Sequence, residues 1–275
     1  MRLRMPQPRL VSFPDPNMID IHCHPLPGVD DGARSLEIAV AMCQMAAEDG
    51  VTHLVATPHS NYTYTFDPDL NQQLLAELQE KVGEKPKLLL GCDFHLSYDN
   101  IQSCVANAKD FTINKSNYLL VELPDQFIPD HISRVYYDIQ VGGLKPIITH
   151  PERNALLHRK PQLLDHWVSM GCLVQITAQS YTGGFGSRTR KFAEKLVDAG
   201  LIHFFASDAH DVKRRPPVLS DCYRKVAEEK GEEIADLLLR KNPEAVINGK
   251  PLPPQPDWPS IEGRKRNWFS FLLGR

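Results

Sequence analysis

Seven short apolar runs separate stretches of helical period along this chain, and that alternation limits its fold more than any other feature. The runs cover residues 18–21, 54–57, 87–90, 118–121, 146–149, 173–176 and 202–206. Between them, Leu36, Val40, Cys43 and Ala47 share one predicted helical face, and Leu70, Leu74, Leu78 and Val82 another. Further helices are expected around Ile132, Val135 and Ile139, and around Phe192 and Leu196. Repeated β-then-α units predict parallel strands joined by right-handed crossovers, hence an α/β barrel or doubly wound sheet. With 275 residues, 42% of them hydrophobic, one large domain is expected.

The polar residues at the ends of these runs carry the functional signal. The first run leads into His22 and His24, the second into His59, and the third into Asp93. The fourth ends at Glu122, the fifth at His150, and the seventh at Asp208 and His210. Only the sixth lacks a ligand-type residue. In barrels and open α/β sheets the C-terminal strand ends share one face, so these residues are expected to meet in one cleft. His-x-His on an extended segment aims both imidazoles to one side. A carboxylate such as Glu122 within an apolar strand costs several kcal/mol unless paired or metal-bound. Mixed imidazole and carboxylate donors suit manganese, iron, cobalt or zinc. There are too many of them for a single four-coordinate ion, so two or three are expected.

Composition excludes several classes. A net charge of −3 gives no sign of nucleic-acid binding. No apolar run is long enough to cross a bilayer, and residues 1–17 lack the apolar core of a signal peptide, so a cytoplasmic location is expected. The six cysteines form no CxxC pair, which suits free thiols. None has an arginine six positions later, so the thiolate loop of cysteine-dependent phosphatases is missing.

The motifs resemble the PHP (polymerase and histidinol phosphatase) superfamily, and more narrowly the bacterial capsule and exopolysaccharide tyrosine-protein phosphatases of CpsB/CapC type. The matching stretches begin with Met-Ile-Asp-Ile-His-Cys-His at 18–24, Pro-Gly-Val-Asp-Asp-Gly at 27–32 and Ala-Thr-Pro-His at 56–59. They continue with Gly-Cys-Asp at 91–93, Leu-Leu-Val-Glu at 119–122 and Thr-His-Pro-Glu-Arg at 149–153. Gly-Gly-Phe-Gly at 183–186, Ala-Ser-Asp-Ala-His at 206–210 and Asn-Pro at 242–243 complete them.

The resemblance implies a distorted (β/α)7 PHP-type barrel over residues 18–250. Around it lie an N-terminal extension, 1–17, and a Pro-rich linker with a basic and aromatic tail, 251–275. It implies one ion on His22, His24, Asp93 and Asp208, a second on Asp93, Glu122 and His150, and a third on Asp31, His59 and His210. Arg153 and Arg215 would grip phosphate, although Arg215 beside Arg214 also reads as a solvated turn. Manganese is the first choice of metal. The implied activity is phosphotyrosine hydrolysis by metal-activated hydroxide, on the tail of a polysaccharide-export tyrosine autokinase. The alternative substrate is a small phosphomonoester such as histidinol phosphate. Two positions depart from the pattern: Asp93 stands where glutamate is usual, and Ser60 where many members have a second histidine. The basic and aromatic tail reads either as a weak membrane-surface contact or as a frayed terminus.

Overall fold

The computed structural model describes residues 17–96, 107–124 and 128–256. Among the described residues, nine parallel strands form two sheets. One has the order β1 (Met18–Cys23), β2 (Val51–Ala56), β4 (Lys87–Leu90). The other runs β3 (His59–Ser60), β5 (Asp93–His95), β6 (Tyr118–Glu122), β7 (Lys145–Thr149), β8 (Leu173–Thr177), β9 (Phe204–Ala206). The seven expected runs are all strands, and two of them resume after a two-residue break, at Thr57-Pro58 and Gly91-Cys92. Pro58 has no N–H to give a ladder. Thr57 N–H donates back to Cys23 O at 2.8 Å, Gly91 N–H to Ala56 O at 2.8 Å and Asp93 N–H to Pro58 O at 3.2 Å. The breaks move the chain from one sheet to the other, and His59 and Asp93 sit directly opposite each other just beyond them.

First and last strands meet at their C-terminal ends. Asp208 N–H donates to His22 O at 2.8 Å and His24 N–H to Ala209 O at 2.9 Å, around a single parallel bridge. This is the expected distorted parallel barrel, assembled from two sheets instead of one closed ladder.

Strand side chains are buried on both faces, as all-parallel sheets require. Ile19, Ile21, Val55, Leu120, Ile147 and Phe204 fill the interior, closed by Val246 and Ile247 of the last helical turn. Leu119, Val121, Ile148, Val174 and Phe205 pack outward with the helices. The principal helices are α1 (Leu36–Glu48), α2 (Pro68–Val82), α3 (Ile132–Val141), α4 (Gln162–Ser169), α5 (Ser187–Asp198) and α6 (Ser220–Lys230).

Two helical faces are rotated from expectation. In α1 the fully buried positions are Ala39, Met42, Cys43 and Ala46, with Leu36 and Val40 at the edge. In α2 the buried positions are Asn71, Leu75 and Leu78, while Leu70 is 46% exposed. Leucines at 70, 74, 75 and 78 support two overlapping faces, and tertiary packing selects the one containing Leu75.

The proline-rich stretch does not leave the body of the protein at once. Tyr118 Oη donates to Lys250 O at 2.6 Å, Leu252 packs on the interior core, and Gln255 exchanges amide hydrogen bonds with Asn242 at 3.0 and 3.1 Å. The basic and aromatic tail lies outside the described residues, as does the N-terminal extension up to residue 16.

Asp49, at the end of α1, accepts from Leu219 N (2.6 Å), Ser220 N (2.9 Å) and Ser220 Oγ (2.5 Å). It thereby caps α6 from the opposite side of the chain and anchors the loop that carries Arg215. Asp49→Ala is expected to cost about 1–3 kcal/mol, because two backbone donors and a hydroxyl lose their acceptor together. Urea unfolding at constant metal concentration checks this.

Candidate metal centre

Two buried carboxylates organise the C-terminal mouth of the barrel. Asp93 is fully buried at the start of β5, and its Oδ2 lies 3.3 Å from His59 Nδ1, 3.5 Å from His22 Nε2 and 3.9 Å from His150 Nε2. Asp208 follows β9, and its Oδ1 lies 3.4 Å from His22 Nε2, 3.5 Å from His24 Nε2 and 3.7 Å from His210 Nδ1. At the outer edge, Asp31 Oδ1 is 3.4 Å from both His59 Nε2 and His210 Nε2. Glu122 reaches His59 Nδ1 at 3.7 Å and His150 Nε2 at 3.6 Å. All nine ligand-type residues singled out in the sequence therefore come together.

Their grouping is more interwoven than three separate sets. Ligand atoms within 4.8 Å of one another join His24, Asp31, His59 and His210; His22, His24 and Asp93; His22, His150 and Asp208; and His59, Asp93 and Glu122. Thus His24 also faces the outer group, and His150 faces His22 and Asp208. Asp93, although a methylene shorter than the usual glutamate, still meets three imidazoles. His150 (φ 35°) and Asp208 (φ 50°) both adopt the left-handed region, an uncommon and strained state for residues with side chains. Each stands where the chain turns out of its strand toward the cleft.

Three histidines are oriented from behind. His22 Nδ1 hydrogen-bonds Gln175 Oε1 (3.0 Å), His24 Nδ1 hydrogen-bonds Asp30 Oδ2 (2.7 Å), and His210 Nδ1 hydrogen-bonds Asp208 O (3.1 Å). In each case this leaves Nε2 facing the carboxylates of the cluster. Asp30 and Asp31 thus divide the work: the Asp30 side chain is 1% exposed and bonds behind His24, whereas that of Asp31 is 52% exposed at the mouth. Gln175 was not singled out, because β8 ends without a ligand type. The available signal was a lone amide inside Leu-Val-Gln-Ile-Thr.

The electrostatics follow from burial against close opposite charges. Burial works to raise Asp93 and Asp208, but His22 beside Asp93, and Arg153, His22 and Arg215 around Asp208, hold both well below the usual carboxylate range. Burial and the Asp93 charge push Glu122 up to about 8. Burial and the Arg153 charge lower His150 to about 4. Burial opposes protonation of His59, yet Asp31, Asp93 and Glu122 raise it to about 11. Asp93 Oδ2 and His59 Nδ1 are buried without a hydrogen-bond partner. Close-packed imidazole nitrogens and carboxylate oxygens, some lacking protons to share, fit divalent cations, and the mixed N/O donor set suits the first-row metals.

Arg153 and Arg215 each place Nη2 on Asp208 Oδ2, at 2.5 and 2.6 Å. Both line a cleft of about 260 Å³ together with Asp31, His59, Glu122, His150 and His210. The solvated-turn reading of Arg215 does not hold, since its guanidinium is anchored in the cleft. Tyr64 stacks on His59 with ring centroids 6.1 Å apart, Tyr62 is 82% exposed, and Phe185 packs on the two arginines. Cys23, Cys43, Cys172 and Cys222 are buried free thiols, Cys92 is likewise buried, and none of the five lines this cleft. Burial pushes Cys43 and Cys172 up to about 12, and Cys104 lies outside the described residues.

Comparison with known proteins agrees with this geometry. Residues 18–248 match the model of the family described as capsular polysaccharide synthesis, CpsB/CapC. The chain is 33% identical to the tyrosine-protein phosphatase YwqE of Bacillus subtilis, over 93% of this chain and 100% of that protein. It is 28% identical to the tyrosine-protein phosphatase CpsB of Streptococcus pneumoniae, over 84% and 98%. Among solved structures, one from work on B. subtilis YwqE and S. pneumoniae CpsB, described as metal-dependent tyrosine phosphatases, superposes with a TM-score of 0.81. It has 34% identity and covers 87% of this chain and 99% of its own. The phosphotriesterase homology protein of Escherichia coli, at 11% identity and TM-score 0.54 over 86% and 100%, shares the fold alone.

The Asp30–His24 pair generates a direct expectation. Asp30→Ala should weaken divalent-cation binding roughly ten- to a hundredfold, since the imidazole loses its orienting acceptor. Titration of metal-free protein with manganese against a chelating indicator measures it.

Proposed function

The chain belongs to the CpsB/CapC capsular polysaccharide synthesis family, and from that premise we propose that it is a metal-dependent protein-tyrosine phosphatase, a phosphoric monoester hydrolase without a cysteine nucleophile. The observation that carries this reading is the pair of buried carboxylates, each faced by three imidazoles, beside two arginines in one cleft. His22, His24, Asp31, His59, Asp93, Glu122, His150, Asp208 and His210 would hold two or three ions, with manganese preferred over iron, cobalt or zinc. When bound, such ions supply an acidified water and a clamp for the oxygens of an in-line displacement.

The protein's own side chains do the rest. Asp93 and Asp208 gather the imidazoles, and Gln175 and Asp30 fix the ring orientation of His22 and His24. Arg153 and Arg215 present planar, permanently charged donors at the cleft edge, suited to bidentate contact with phosphoryl oxygens. Phenolate leaves more readily than an alkoxide, so the chemistry favours aryl esters, and a cluster below the cleft mouth favours a long, flat side chain over phosphoserine.

We place the enzyme in the cytoplasm, acting on the tyrosine-rich tail of a polysaccharide-export autokinase. No helix among the described residues is long and apolar enough to cross a membrane. Tail residues 260–275, with Arg264, Lys265, Arg266, Trp268 and Phe269, would give weak attraction to an anionic membrane surface near such a kinase.

Chelation should abolish phosphate release, and manganese should restore it. Asp93→Glu should keep its metal and its activity, while Asp93→Ala should lose at least one ion per chain by elemental analysis. An alanine variant with unchanged metal content would show that Asp93 is not a ligand. On peptides of identical flanking sequence, kcat/KM for phosphotyrosine should exceed that for phosphoserine by more than tenfold, about 1.4 kcal/mol. A clear preference for histidinol phosphate would assign the enzyme to small phosphomonoesters instead.

A further inference from the structure

Three loops meet over the cleft, and the residue that joins them is Phe185. Arg153 comes from the loop after β7, Phe185 from the loop after β8, and Arg215 from the loop after β9. The Phe185 ring centroid lies 5.2 Å from the guanidinium carbon of Arg153 and 5.8 Å from that of Arg215. Both distances fall within cation–π range.

The loop carrying this ring is built tightly. Gly183 (φ 105°) and Gly186 (φ 87°) hold left-handed conformations that side chains disfavour. A Cβ on the intervening Gly184 would come within 2.3 Å of the Gln179 side chain. Gln179 in turn accepts from Gly184 N through its carbonyl (2.8 Å) and donates from Nε2 to Arg214 O (2.8 Å). The aromatic loop is therefore fastened to the arginine loop through the Gln179 side chain as well as through the ring.

Two guanidiniums sharing one carboxylate oxygen repel each other and tend to splay outward. An aromatic face beside both opposes this, because its negative quadrupole attracts each cation while the ring volume blocks other rotamers. We propose that Phe185 is a positioning residue that holds Arg153 and Arg215 as a pair at the phosphate position. This rests on the reading above that the two arginines receive phosphate. On this account Phe185 acts on any phosphate, whatever group it is esterified to, and is not primarily a platform for the substrate's ring.

Inorganic phosphate, which has no ring, separates these roles. In the metal-loaded full chain, Phe185→Leu and Phe185→Met should each weaken phosphate inhibition about tenfold. KM for a phosphotyrosine peptide should rise in parallel, with kcat changed less than about threefold, the signature of lost ground-state and transition-state binding together. Phe185→Tyr and Phe185→Trp should restore both, and metal content should be the same in all four variants. If the leucine and methionine variants raise KM for the peptide but leave phosphate inhibition unchanged, the ring serves the substrate's aromatic group and the proposal is wrong. Arg153→Lys and Arg215→Lys in the same assay locate the failure. If they weaken phosphate inhibition and Phe185→Leu does not, only the role of Phe185 falls. If neither lysine variant weakens it, the phosphate role of the arginines falls with it.

Discussion

The site depends on the cost of burying Asp93 and Asp208. A lone carboxylate taken out of water is unfavourable by several kcal/mol, and here two are placed within a few ångströms of each other's imidazole partners. His22 touches both, so it is the common member of the two sets. Neither carboxylate is tolerable without close positive charge, and imidazoles, guanidiniums and divalent cations are the available sources. The barrel makes this arrangement possible. Parallel strands deliver all their C-terminal ends to one face, and an apolar interior below holds those ends rigidly.

Much of this was legible in the sequence because strand-end polar residues stand out against apolar runs. Every ligand-type residue named from the sequence joins the cluster, and six of them line the cleft with both arginines, while His22, His24 and Asp93 are buried within it. What could not be read has physical causes. The breaks at Thr57-Pro58 and Gly91-Cys92, which transfer the chain between sheets, look like ordinary strand ends until pairing partners are known. The buried faces of α1 and α2 are decided by neighbouring elements, since overlapping leucine and alanine patterns allow more than one phase. Asp30 and Gln175 act through the far nitrogen of a histidine, and nothing in residue type or spacing separates such a support from a solvated side chain.

The same geometry accounts for a phosphatase without a thiolate. The described cysteines are buried in the core, where desolvation keeps Cys43 and Cys172 protonated. The cleft instead offers nitrogen and oxygen donors with two arginines beside them. Asp208 links the two halves, turning one oxygen to the imidazoles and the other to Arg153 and Arg215. In this way one strained residue fixes the distance between the candidate cluster and the groups proposed to receive phosphate.

Anomalous diffraction from crystals of manganese-loaded, catalytically active protein tests the central claim most directly. The account predicts two or three manganese peaks among the carboxylates of Asp93 and Asp208 and the imidazoles of His22, His24, His59, His150 and His210. An active crystal form with no peak in that space, or with manganese bound only elsewhere, would contradict it.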